Sequence, residues 1–178
     1  MSETSSSLVG RVLNAGPETL ALTTLAACGV LLFGAQVMEH AFAMVPCPLC
    51  LMQRVWFSLA GLFVVAGLLH DPRWGIYPLL SMVAALTGSY FSIRQLYLQS
   101  LPADQVPACG PGIDYMIEAF PVADVLSAMT QGTGDCAAVS WQFILTLPGW
   151  ALVGFAAIAV LSILQIRAGN QWGSAYRS

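Results

Sequence analysis

Four long apolar stretches, almost free of formal charge, constrain this chain more than any other feature. They run over Thr19 to Met38, Cys50 to Leu69, Ile76 to Ile93 and Leu147 to Ile166. A helix rises roughly 1.5 Å per residue, so about 20 residues cross a hydrocarbon core of about 30 Å. The whole sequence is 57% hydrophobic and 8% charged, with no lysine, whereas a soluble domain is about a quarter charged. The sequence therefore predicts an all-α membrane protein. We expect a four-helix transmembrane bundle in a single integral membrane domain, residues 1–178, with exposed loops at about 39–49 and 94–146. A net charge of −3 leaves no basic footprint, which argues against nucleic-acid binding.

The first stretch raises the question of a signal peptide, because Ala41-Phe42-Ala43 resembles a cleavage site. Its apolar run exceeds the usual h-region and only Arg11 precedes it, so a retained span is expected. The second stretch is more informative at its start. Between Arg54 and Asp71 the apolar residues would reach only about 22 Å as a helix, so the helix must begin before Arg54. Pro48 suits a first-turn position, since its missing N–H costs nothing there. Cys47 then falls at the N-cap, and Cys50 and Arg54, at i and i+4, share a face.

Four spans put both termini on one side. Arg11, Arg73, Arg167 and Arg177 belong to that side and only Arg54 and Arg94 to the other. The positive-inside bias makes the termini cytoplasmic. Trp56, Trp141 and Trp150 near the outer boundary, with Trp74, Tyr77 and Trp172 near the inner one, fit aromatic belts. Cys47, Cys50, Cys109 and Cys136 then face outward, into a compartment where disulfides persist.

The second exposed loop is punctuated by Pro102, Pro107, Gly110, Pro111, Gly112, Pro121, Gly132 and Gly134. Within it Ile113, Met116, Ile117 and Phe120, then Val122, Val125, Leu126 and Met129, repeat at helical spacing and predict two short amphipathic helices. Their acidic polar face is compatible with packing on the span tops or with lying in the interface. Cys109 and Cys136 bracket them beside glycines that leave the backbone free.

Two thiols separated by two residues at a helix start favour exchange chemistry, because the helix dipole there stabilises a thiolate. As a structural staple the pair would be poor, since so small a ring constrains the unfolded chain least. A four-thiolate zinc site needs closely spaced halves, and Cys109 and Cys136 are too far apart in sequence, so no metal is expected. Stapling is a stronger alternative for Cys109 and Cys136. Arg54 can anchor at the interface, or can steady a thiolate or a carbonyl ligand. Arg94 divides evenly between anchoring and site support. His40 and His70 read as interfacial polar residues, and Cys28 as a small apolar packing residue.

Cys47-Pro-Leu-Cys50, Arg54, Ala-Cys109-Gly-Pro-Gly, Gly134-Asp-Cys136-Ala and the aromatic-proline run from Trp141 to Trp150, in this order, resemble the disulfide bond formation protein B (DsbB) family over all four spans and both outer loops. The resemblance implies a protein-disulfide oxidoreductase of the bacterial inner membrane. Such an enzyme reoxidises a periplasmic thioredoxin-like dithiol oxidase of the DsbA type and passes the electrons to a membrane quinone, ubiquinone or menaquinone. It implies a loop disulfide Cys109–Cys136 attacked by the partner, a pair Cys47–Cys50 that recharges it with Cys50 facing the quinone, and Arg54 beside the quinone ring. Some relatives carry a histidine after the third span that this chain lacks, which leaves Arg94 or Gln95 to substitute. Two rival functions stand beside this one. A vitamin K epoxide reductase-like enzyme places its C-x-x-C after the loop cysteines, the reverse of the order here. A non-enzymatic scaffold would carry inert structural disulfides.

Overall fold

The computed structural model describes residues 15–110, 113–139 and 141–175. Arg11 and Arg177, used above for orientation, lie outside them, as does the side chain of Trp172. Helix α1 spans Pro17–Ala41, α2 Pro48–His70 and α3 Ile76–Ser100. Two short loop helices follow, α4 at Ile113–Ala119 and α5 at Val122–Gln131, then a 3-10 turn at Gly134–Ala137. A minimal antiparallel pairing of Gln142–Phe143 with Leu145–Thr146 leads into α6, Leu147–Ala175.

Helices α1, α2, α3 and α6 are each long and apolar enough to cross a membrane. They pack as a square in which α3 touches α2 and α6, and α1 touches the same two. Large apolar side chains point away from the bundle: Phe33, Leu62, Leu69 and Val30 are 61–83% exposed. In water such a surface would aggregate; in lipid it faces the solvent it prefers. The chain is a multi-pass membrane protein.

Small residues let the helices approach. At Gly88 of α3 a Cβ would collide with the Phe155 ring of α6, and at Gly154 with Leu31 of α1. Phe155 also stacks on Phe57 of α2, with ring centroids 3.7 Å apart. These two rings and Cys28, Ala60, Ala84, Ala85 and Ile158 form the mid-bundle core. Cys28 is thus a packing residue, in line with expectation.

The structure departs from the sequence reading in the lengths of the last two long helices, with α6 running past Arg167 to Ala175, and at one tryptophan. The third helix continues past Arg94 to Ser100 because its inward face does, with Gln95 and Leu98 both buried; a charge at a span end marks the lipid boundary, not the helix terminus. Trp56, expected in the outer belt, turns inward to pack on both core clusters and stacks with Phe91.

A second cluster closes the bundle end that carries the C-x-x-C. Leu49, Phe91, Leu98 and Cys136 are buried together, with Cys47, Met52 and Trp56 packed against them. The 3-10 turn plugs this end. Helix α5 lies against α2, and Gly132, at φ +80, ends it where a Cβ would strike Leu49 and Leu98. Ile117, Phe120, Val122 and Leu126 nevertheless stay exposed, so the loop helices are only partly seated on the span tops.

A candidate thiol relay at the bundle end

Pro48 occupies the first turn of α2 and Cys47 its N-cap, in extended conformation at φ −75° and ψ 163°. The Cys47 sulfur accepts the Cys50 N–H at 3.4 Å, as a capping side chain should. The two sulfurs are 2.9 Å apart, and all five cysteines are free thiols in this structure. Their closeness follows from position: a cap side chain folds back over the first turn, where the side chain three residues on also lies.

Cys136 arrives from the 3-10 turn and is wholly buried. Its sulfur takes a hydrogen bond from the Cys47 thiol, which with the N–H groups of Leu49 and Thr133 holds it down to about 6, against the opposing effect of burial. Leu49 is in the first turn of α2, so this sulfur sits at a helix N-terminus, where free N–H groups and the dipole favour a thiolate. The contact acts oppositely on Cys47, which is raised by hydrogen bonds to Cys136 and Cys50. Cys136, Cys47 and Cys50 form a continuous row of sulfurs with Cys47 in the middle.

Cys109 stands apart. It is exposed and lies beside Asp135, whose carboxylate accepts a hydrogen bond from the thiol and raises it. The two segments are nevertheless joined, because Gly134 N donates to Ala108 O at 3.1 Å. Gly134 has no space for a Cβ against Pro107 O, so glycine is required for this approach.

Below the sulfurs opens a cavity of about 360 Å³ bounded by all four long helices, a size ordinary for a small-molecule site. Leu31, Phe57 and Trp150 supply apolar walls, while Cys50, Arg54 and Gln95 face it with polar groups. Arg54 shares this wall with Cys50, as the i, i+4 spacing requires. Its guanidinium is paired with Glu39 of α1 and donates to Ala35 O at 3.0 Å, with N–H donors to spare. Arg94 is turned away from the cavity: its Nε donates to Gln131 O at 3.2 Å and its guanidinium lies 5.6 Å from the Tyr97 ring centroid. It ties α3 to the end of α5. The neighbouring Gln95 is the polar group that reaches the cysteine pair, with Nε2 3.2 Å from Cys50 Sγ and 3.4 Å from Cys47 Sγ.

Sequence reasoning missed Glu39 and Gln53. A carboxylate in the last turns of an apolar span is a signal by itself, and with Arg54 the other charge at this depth, the pair was legible in principle. Gln53, three residues after Cys50, bonds Gln95 Oε1 at 2.8 Å; nothing in sequence marks that partner. Among the described residues no group of His, Cys, Asp and Glu could hold a metal.

A membrane helix bundle whose sealed end gathers three sulfurs over an apolar cavity defines a membrane-embedded disulfide oxidoreductase. A family model described as "Disulfide bond formation protein DsbB" matches residues 17–165, and the chain belongs to that family. It is 50% identical over 138 residues to "Disulfide bond formation protein B" of Hahella chejuensis, covering 75% of this chain and 83% of the relative. The protein of the same description from Marinobacter nauticus is 51% identical over 140 residues, 76% and 83% of the two chains. "Disulfide bond formation protein B 1" of Pseudomonas aeruginosa is 41% identical over 155 residues, 85% and 95%. No solved structure matches the chain.

Proposed function

We propose that this protein reoxidises a soluble thioredoxin-like dithiol oxidase of the DsbA type and passes the electrons to a membrane quinone, from the periplasmic face of a bacterial inner membrane. The observation that carries the reading is the row Cys136, Cys47, Cys50 ending at an apolar cavity. In the resting enzyme Cys109 pairs with Cys136 and Cys47 with Cys50. A partner thiolate attacks Cys109, forming a mixed disulfide and releasing Cys136 as a thiolate; the partner's second thiol then resolves the mixed disulfide, and the partner leaves oxidised. The Cys136 thiolate, beside Cys47 and stabilised at the α2 N-terminus, attacks Cys47 and expels Cys50 as a thiolate. Attack by Cys109 on Cys136 then restores the loop disulfide and leaves Cys47 and Cys50 reduced. Two electrons and two protons have moved from the partner to the inner pair.

A quinone bound in the cavity would accept those electrons and protons. The residues present fit such a group: an apolar enclosure for the ring, and N–H donors on Arg54 and Gln95 for its carbonyl oxygens. A partner that is itself a strong dithiol oxidant needs an acceptor more oxidising than a glutathione-like pool. An acceptor dissolved in the bilayer reaches Cys50 from the membrane, whereas exposed Cys109 meets a soluble protein.

The experiment is to trap the first step. A partner whose second thiol is replaced by serine can still attack Cys109 and release the Cys136 thiolate but cannot resolve the mixed disulfide, so that disulfide should accumulate through Cys109 and multiple-turnover quinone reduction should stop. Trapping through Cys47 in its place would overturn the order of the relay. Disulfides that stay oxidised when the reduced partner is added without quinone would establish the inert scaffold.

A further inference from the structure

Apart from the donor that Gln95 would offer a quinone, the two buried amides beside the inner cysteine pair have no role in the thiol exchange described so far. Gln95 and Gln53 are 3% and 6% exposed, and a buried side-chain amide is retained at a cost unless its hydrogen bonds are made. Gln95 Nε2 lies within reach of both Cys50 Sγ and Cys47 Sγ, and its Oε1 receives Gln53 Nε2 at 2.8 Å. Gln53 makes no hydrogen bond to either sulfur. An amide can present its oxygen or its NH2 group to a neighbour. The Gln95 oxygen also lies 3.6 Å from Cys50 Sγ, but Gln53 holds it at 2.8 Å and Nε2 is the nearer atom to that sulfur at 3.2 Å, and a donor pointed at sulfur favours the thiolate over the thiol.

We propose that Gln95 stabilises the Cys50 thiolate by hydrogen bonding and that Gln53 is the positioning residue that fixes the Gln95 amide in its donating orientation. The inference rests on the reading of Cys50 as the cysteine at which electrons leave the relay. Neither amide titrates, so the donor is present at every working pH. The charged and titratable groups around the pair are the Cys47 and Cys136 thiols above it, Asp135 at the cavity rim, and the Glu39–Arg54 pair one turn below. Glu39 and Arg54 neutralise each other, the Cys47 thiol donates to Cys50 Sγ at 2.9 Å, and negative charge on the nearby Cys136 sulfur opposes a second thiolate. The amide is therefore a second donor to Cys50, brought from α3 and independent of the protonation of Cys47.

The test is the alkylation rate of Cys50 in the fully reduced protein, by a small neutral thiol reagent, read by peptide mass spectrometry. Exposed Cys109 in the same sample is the internal control. It uses neither quinone nor partner, so it is independent of whether the proposed electron acceptor is correct. In Gln95→Leu the rate at neutral pH should fall about ten-fold and return to the wild-type value at strongly alkaline pH, where every thiol is ionised. Gln53→Met should give most of the same loss although it touches no sulfur, and should add nothing to Gln95→Leu. An unchanged rate in Gln95→Leu would overturn the proposal, as would a loss that persists at alkaline pH, because that is altered access. Additive losses in the double variant would show that Gln53 does not act through Gln95. If Gln95→Leu fails to insert, Gln53→Met with the same pH comparison decides the matter alone.

Discussion

Replacing Cys47 by alanine should change the ionisation of Cys136, a residue far away in sequence. The Cys47 thiol is the largest of the influences that bring Cys136 from the ordinary 9.0 to about 6. A hydrogen bond to a charged group contributes about 1.5 to 3 kcal/mol and a pH unit corresponds to about 1.4 kcal/mol. Its loss should move the Cys136 midpoint up by about 1 to 2 pH units, leaving the N–H groups of Leu49 and Thr133 to supply the rest. At neutral pH the thiolate fraction then drops from about 90% to between about 50% and 10%. The assay is alkylation of Cys136 in reduced protein across pH, normalised to its alkaline plateau so that burial cancels. Stability should follow the same change. Because the folded-state value is depressed, the contribution is fully present above the ordinary 9.0 and is lost as pH falls through about 6, so reduced wild-type protein should gain stability between these limits relative to Cys47→Ala. A Cys136 midpoint near 9 in wild type, or one near 6 that Cys47→Ala leaves in place, would refute the row of sulfurs as the cause.

Arg54→Met removes a charge-assisted donor of about 1.5 to 3 kcal/mol and should raise the quinone concentration for half-maximal rate roughly 10- to 150-fold, with lysine rescuing only in part. Exchange with the partner in a single turnover without quinone should change far less, and normal quinone dependence in folded, inserted protein would reduce Arg54 to an anchor paired with Glu39. For orientation, a membrane-impermeant thiol reagent applied to intact cells after reduction should label Cys109 and spare Cys28; labelling of Cys109 only after the cytoplasm is opened would reverse the proposed topology.

Local rules were enough for much of this protein. The four spans follow from the length and apolarity of the stretches, since no other structure satisfies the backbone of such segments in lipid. The Cys47 cap, the Pro48 first turn and the shared face of Cys50 and Arg54 follow from helix geometry within a few residues. Resemblance in the order of the cysteines already pointed to the family. Contacts across the bundle were another matter. Whether Arg94 or Gln95 reaches the cysteines depends on one step of about 100° around α3, and the packing of Phe91, Ser92, Gln95 and Leu98 into the bundle sets that rotation. Glu39 and Gln53 find Arg54 and Gln95 only when α1 and α3 pack on α2, and Cys136 reaches Cys47 only because the 3-10 turn plugs the bundle end. Periodicity records which side of a helix is buried, but partner identity arises from the packing of side chains far apart in sequence, so only the tertiary structure assembled the relay.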